Sequence, residues 1–270
     1  MNPVRDEPSQ PSGANEAASV VEFGAGPVGT VPLASQTRGR RRRRTDWRIG
    51  GRAIDRWDYR VLVGALFGAG AGTLVSVALA HDPRSILGAL SLPALWVGLL
   101  ASVAYAIVRG RPAGLFRLKP IDVIWGAGLG LGMRLLQGAM SDANDAPFPV
   151  TDATAMDSTG IGLAAGVAGP MVEELYFRAV LLVIIFQMLR KSLGMTAAGA
   201  TALLASSGSF VILHAVFGSL LLADALQLFL VGAACSLLVL LTGRVWGAVI
   251  LHVVYNIVLI VIMAVGAAGA

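Results

Sequence analysis

Glu173, Glu174, Arg178, His214, His252 and Asn256 have the side-chain types and spacings for acid–base chemistry on water. Glu174 and Arg178 stand four residues apart, the helical spacing at which side chains meet on one face. They can therefore form an ion pair that lowers the cost of burying both. Glu173 lies about 100° around the helix from its neighbour and has no cation at i+3 or i+4. A carboxylate held in a semi-dry cavity without its own cation suits a general base acting on water. In "FVILH", Phe210 and His214 share a helical face, and in "HVVYN", His252 and Asn256 do. A spare carboxylate, two imidazoles and an amide suffice for acid–base work with an oxyanion held by fixed donors. A bland reading stands beside this one: both acids fit a structural ion-pair cluster with Arg178, and a histidine inside a bundle is commonly a packed core residue. Three polar sites on three separate segments favour the chemical reading. No serine or cysteine is partnered in the same way; Ser206, Ser207 and Ser209 fit hydrogen bonds to helix backbone.

These residues interrupt runs that otherwise read as the interior of a bilayer. Of 270 residues, 56% are hydrophobic and 14% charged, and the mean hydropathy is +0.72, which excludes an ordinary soluble domain. The apolar runs are about 20 residues long, enough to cross a hydrocarbon core roughly 30 Å thick as helix, and they lack the period-two alternation of a barrel. The fold class is therefore all-α, a polytopic membrane helix bundle with about seven to eight spans, multi-pass in the cell membrane. Apolar segments fall at about 61–80, 86–108, 121–140, 160–190, 196–217, 220–242 and 245–268. The fourth is too long for one crossing and contains Gly169 and Pro170, which predicts a short helical piece and then a new helix with Pro170 in its first turn. The glycines are explained by close helix packing.

Charge sets the expected topology. Lys and Arg recur in the tail, after the second segment (Arg109, Arg111, Arg117, Lys119), after the fourth (Arg190, Lys191) and after the sixth (Arg244), whereas the alternate connections are acidic or sparsely charged. That alternation predicts the N-terminus inside. Residues 1–56 read as a disordered N-terminal tail with an Arg-rich block, and residues 57–270 as the transmembrane helical domain, with its motifs at 160–258. The net charge of +5 is concentrated in Arg38 to Arg44, a topology determinant and a contact for anionic lipid; no nucleic acid partner is expected. The first residues contain no apolar h-region, so no cleavable signal peptide is expected. Cys235 is the single cysteine, which excludes an intrachain disulfide and a Cys-based metal cluster.

The motifs carry a resemblance. "EELYFR" matches E-E-x-x-x-R, "FVILH" matches F-x-x-x-H and "HVVYN" matches H-x-x-x-N, in the order found in the CPBP family, which comprises the CaaX prenyl endopeptidases and the Abi, or bacteriocin-processing, membrane proteins. "GRVWGAVILH" also resembles the family's lead-in to the third motif. The resemblance covers about residues 160–258. It implies an intramembrane peptidase that cleaves a peptide bond of a membrane-associated or lipid-modified polypeptide, in some members prenylated, by activated water and without a covalent intermediate. Carried over by position, Glu173 is the base, His214 its partner on water, and His252 with Asn256 the oxyanion donors. Glu174, Arg178 and Phe210 are supporting residues. Members have been described as metalloproteases, but the close His pair of H-E-x-x-H is missing. Hydrolysis without a required cofactor is therefore expected; if a divalent metal such as zinc takes part, its ligands are Glu173, His214 and His252.

Two features stay open at this level. Measured along straight helices from their basic ends, Glu173 and His214 lie roughly 25 Å deep but His252 only about 12 Å. The same polar cavity also fits a non-catalytic scaffold or immunity protein that binds a peptide partner. A proton-coupled transporter is disfavoured by the lack of an internal repeat.

Overall fold

The structure, a computed structural model, describes residues 46–49, 54, 56–81, 86–140 and 160–269. The Arg38–Arg44 block and the acidic connection 141–159 lie outside the described residues. Within them the chain is helical, without strands. The long helices are α1 (Tyr59–Leu79), α2 (Ser91–Arg109), α3 (Pro120–Met140), α4 (Gly160–Tyr176), α5 (Leu182–Phe217), α6 (Leu222–Thr242) and α7 (Trp246–Gly269). A short helical turn, Ile86–Ala89, precedes α2, and a 3₁₀ turn, Trp47–Ile49, precedes α1.

Local chemistry sets several of these ends. The Asp58 carboxylate caps α1 by accepting from the Arg60 amide. α3 begins with Pro120, whose missing N–H is no loss in the first turn, and Asp122 reaches back to accept from the Lys119 amide at 2.9 Å. α6 ends on Gly243, at φ 71°, with its amide donating to Val239 O. That left-handed stop is cheap only for glycine.

Five stretches among the described residues are long and apolar enough to cross a membrane: 59–79, 87–109, 166–217, 222–242 and 246–266. The third has 52 residues. A straight helix of that length would rise roughly 78 Å, more than twice a hydrocarbon core. It bends at Gly194, which takes φ 79° and ψ 172°, a region essentially reserved for glycine. α3 is absent from the five because Asp122, Arg134 and Gln137 interrupt its apolar run.

The fourth segment departs from expectation. The helix runs through Pro170 without restarting, and the irregularity begins seven residues later, in a π turn over Phe177–Leu181. The Leu182 amide donates to Phe177 O across that turn, and the Ser206 hydroxyl of α5 donates to the same carbonyl at 3.0 Å. Phe177 O therefore has two donors inside the protein, one from the backbone and one from Ser206.

The basic connections gather at one end of the bundle. The Arg48 guanidinium donates to Leu240 O and Leu241 O at the end of α6, Arg190 donates to Arg48 O, and Arg244 pairs with Asp122 at 2.6 Å. Hydrogen bonding to Asp122 raises the Arg244 pKa further above its already high range. Trp47, 1% exposed, packs edge-on against Phe186 and donates to Gly243 O. Trp47 is held there because its indole finds both an apolar slot and an acceptor.

The same contacts resolve the depth conflict. Trp47 brings the turn at Gly243 level with Phe186, not with the bend at Gly194, so the stretch of α5 around Gly194 extends beyond that turn. Measured from that level, Glu173 is roughly 20 Å along its helix and His252 roughly 13 Å, a difference that tilt can absorb.

α3 lies against α7 along one face: Asp122, Gly126, Gly130 and Arg134 are its buried residues, four apart. A Cβ added at Gly126 would sit 2.7 Å from Gly247 O, and one at Gly130 2.5 Å from Leu251 O. Small residues here let two backbones approach closely. Gly130→Ala should therefore lower the thermal stability of the detergent-solubilised protein by about 1–3 kcal/mol. Gly128→Ala, which meets nothing within 4 Å, should be neutral or slightly stabilising in the same melt.

Candidate active site

A cavity of about 330 Å³ opens between the helices, and Glu173 of α4, His214 of α5, and His252 and Asn256 of α7 all line it. The four residues singled out for chemistry thus come together from separate helices. Their supports lie directly behind them. Glu174 and Arg178 are both 0% exposed, and the Arg178 Nε–Glu174 Oε2 separation is 3.1 Å, the expected i, i+4 ion pair.

Glu174 does more than neutralise Arg178. Its other oxygen, Oε1, lies 3.0 Å from His252 Nδ1. A carboxylate facing Arg178 accepts, so Nδ1 is the donor and the ring orientation of His252 is fixed across two helices. His252 Nε2 is then turned toward Glu173 Oε2, at 4.0 Å. Glu173, read from spacing as lacking a partner, has an imidazole beside it that only tertiary packing supplies.

His214 is held differently. Its Nδ1 lies 2.9 Å from Phe210 O, one turn back on its own helix. A carbonyl can only accept, so Nδ1 carries a proton, and in the neutral ring Nε2 carries the lone pair. Phe210, 0% exposed, sits between the functional groups: its ring is 4.4 Å from that of His214 and 5.5 Å from that of His252. It also lies 4.7 Å under the Arg178 guanidinium. The aromatic face thus supports both imidazoles and the buried cation.

Arg178 sits in the π turn and is close-packed. Its 3.1 Å approach to Glu174 is an ion pair by distance but is not aligned as a hydrogen bond, and Nη1 and Nη2 have no hydrogen-bond partner among the described residues. Charge and the rings of Phe210 and Phe177 hold it. Gly232 of α6 makes room, since a Cβ there would lie 3.0 Å from Nη2.

Among the described residues, no group of three or more His, Cys, Asp or Glu side chains is arranged to hold an ion. Of the trio named for that role, His252 has Nδ1 on Glu174 and His214 has Nδ1 on Phe210 O, which leaves Nε2 of each ring outside those bonds.

Residues that the motifs do not mark also line the cavity, among them Trp96 of α2, Arg134 and Gln137 of α3, and Tyr255 of α7. Arg134 had a signal of its own: an ionisable side chain inside an apolar run is expensive and tends to be functional. Motif spacing does not find it because it lies outside all three patterns. Tyr255 is a neighbour of Asn256 in sequence, but nothing in the sequence pairs it with α3.

The helical bundle, with five stretches among the described residues long and apolar enough to cross a membrane, brings a carboxylate, two imidazoles and an amide to one cavity. Residues 156–258 match the family model described as Type II CAAX prenyl endopeptidase Rce1-like. The match spans all three motifs and supports the CPBP family for this chain, which points to a protease. No curated protein and no solved structure matches it.

Arg178→Ala should be strongly destabilising, by about 3–5 kcal/mol, because it leaves the Glu174 carboxylate buried without its cation. The loss should appear as a lower unfolding temperature in detergent, whether or not substrate is present.

Proposed function

We propose that the protein is an intramembrane endopeptidase that hydrolyses a peptide bond of a membrane-associated or lipid-modified polypeptide, prenylated substrates among the candidates. One observation carries this reading: Glu173, His214, His252 and Asn256, from three helices, border a single cavity. The matched family supplies the reaction class.

In this reading a water lies between the Glu173 carboxylate and His214 Nε2. Glu173 takes one proton of the water as the oxygen attacks the peptide carbonyl carbon, while His214 Nε2 accepts a hydrogen bond from the O–H that remains and orients the lone pair. The carbonyl oxygen becomes an oxyanion, which receives hydrogen bonds from the Asn256 amide and from His252 Nε2 when that ring is protonated. Glu173 then passes its proton to the leaving amine nitrogen, the C–N bond breaks, and the carboxylate is regenerated. Glu174 and Arg178 act through His252: they hold its Nδ1 side so that Nε2 stays aimed at the reacting centre. No step requires a metal.

The bundle is proposed to cross the cell membrane seven times with the N-terminus inside. The gathering of Arg48, Arg190 and Arg244 at one end supports this reading through the enrichment of Lys and Arg on the cytoplasmic side. The Arg38–Arg44 block would then lie near anionic headgroups of the inner leaflet.

Purified protein offered a library of prenylated and unmodified peptides should cleave a subset. Glu173→Gln should lower kcat/KM by about 10²–10⁴-fold while leaving the unfolding temperature near that of the wild type, and His214→Ala should do likewise. Retained cleavage in Glu173→Gln would remove it as the base, and cleavage lost to a chelator and restored by zinc would require a metal after all.

A further inference from the structure

Four of the five tryptophans are wholly or partly buried, and three of those four place the indole N–H on a backbone carbonyl. Trp47 donates to Gly243 O at 3.0 Å, Trp57 to Ala106 O at 3.0 Å and Trp246 to Phe116 O at 2.9 Å. Trp96 of α2 is the exception. Its Nε1 is buried but has no hydrogen-bond partner among the described residues, and the residue lines the cavity that holds Glu173. An indole N–H is a donor only. Buried without an acceptor, it carries a desolvation penalty that a bound acceptor relieves.

The position of the ring indicates what can reach it. A Cβ built at Gly169 would lie 3.5 Å from Trp96 Cζ2 and 4.0 Å from Cε2, the carbon to which Nε1 is bonded. The edge of the indole that carries the donor therefore rests beside Gly169 of α4, one turn before Glu173. One turn rises about 5.4 Å, and an extended peptide advances about 3.3 Å per residue. An acceptor on Nε1 thus belongs to a residue about one to three positions from a peptide bond held at Glu173. The neighbours on this wall are Leu92, Gly169 and Pro170, which bring no charge and no side-chain acceptor. A single neutral donor in an apolar wall suits a neutral acceptor.

We infer that Trp96 Nε1 donates to a backbone carbonyl of the bound peptide and holds the chain against the wall formed by α2 and α4 while the scissile bond lies at Glu173. This deepens the peptidase reading, on which it rests for the nature of the occupant. The other three buried indoles of this chain bond to the same kind of acceptor. Every peptide carries such carbonyls, so the contact sets the position of the chain and not the choice of side chains.

The test uses the full-length chain in detergent with Glu173→Gln, so that binding is read without cleavage. Fluorescein-labelled peptides are chosen from the library by their binding to this protein, and their carbonyl oxygens are replaced one at a time by sulfur, a weaker acceptor. Replacement at the recognised carbonyl should weaken binding about 3–10-fold. Adding Trp96→Phe, which keeps an aromatic ring but removes the N–H, should weaken the parent peptide by a similar factor. In that variant, sulfur at the recognised position should cost nothing further. A packing role alone would lower affinity for the parent and sulfur peptides together and leave their ratio unchanged. As a second measurement, the indole N–H signals are followed by NMR, and the one missing from the Trp96→Phe variant should move when peptide is added. The inference is overturned if that signal stays in place at saturating peptide, if no sulfur replacement matters, if the preference survives Trp96→Phe, or if no library member binds. No arm depends on turnover, so failure of Glu173 as a base would leave a positive result standing. Peptides that the wild type cleaves while the Trp96 signal stays in place would end this inference and keep the peptidase reading.

Discussion

The site depends on how one carboxylate is shared inside an apolar bundle. Glu174, fully buried, gives one oxygen to Arg178 at 3.1 Å and the other to His252 at 3.0 Å. A charge in lipid must be met by another charge or by strong donors. Meeting it here joins α4 to α7 and sets the rotation of an imidazole that borders the cavity. Loss of either partner would leave the oxygen that faced it buried and unmatched, so the ionic cluster and the orientation of His252 are one structural fact.

Around that pair the helices are arranged to bring polar atoms together while satisfying the backbone. The π turn carries Arg178, and Ser206 takes up the carbonyl at its start. Phe210 offers its ring to Arg178 and both imidazoles, and its carbonyl to His214. Gly232 clears the space beside the guanidinium. On the other wall Gly126 and Gly130 bring α3 close to α7, which lets Arg134 reach Tyr255 O and enter the cavity. Glycines that look featureless in sequence decide how near the charged groups can come.

The far ends of these helices are tied at the basic end of the bundle. Trp47, Arg48, Gln187 and Arg244 bind together the connection before α1, the first half of α5, the start of α3 and the turn between α6 and α7. This belt fixes the axial register of α7 against α4. The register is what brings His252, only six residues into its helix, level with Glu173, so the distance between functional groups is controlled from well outside the cavity.

The sequence by itself determined the helical class, the approximate positions of the long helices, the Glu174–Arg178 pair and the four motif residues that border the cavity. Each follows from local rules: apolar run length, i, i+4 spacing, and the rarity of charge in lipid. The interactions between helices needed the tertiary structure. The bond from Glu174 to His252 and the approach of His252 to Glu173 join residues about 80 positions apart, and the grip of Arg134 on Tyr255 joins residues about 120 apart. Helix periodicity relates a residue only to its neighbours within a turn or two, so it carries no information on which face of a distant helix will meet it. The uninterrupted passage through Pro170, with the irregularity displaced to 177–181, has the same origin: a proline breaks a lone helix readily, but packing and a hydroxyl from α5 set where this one yields.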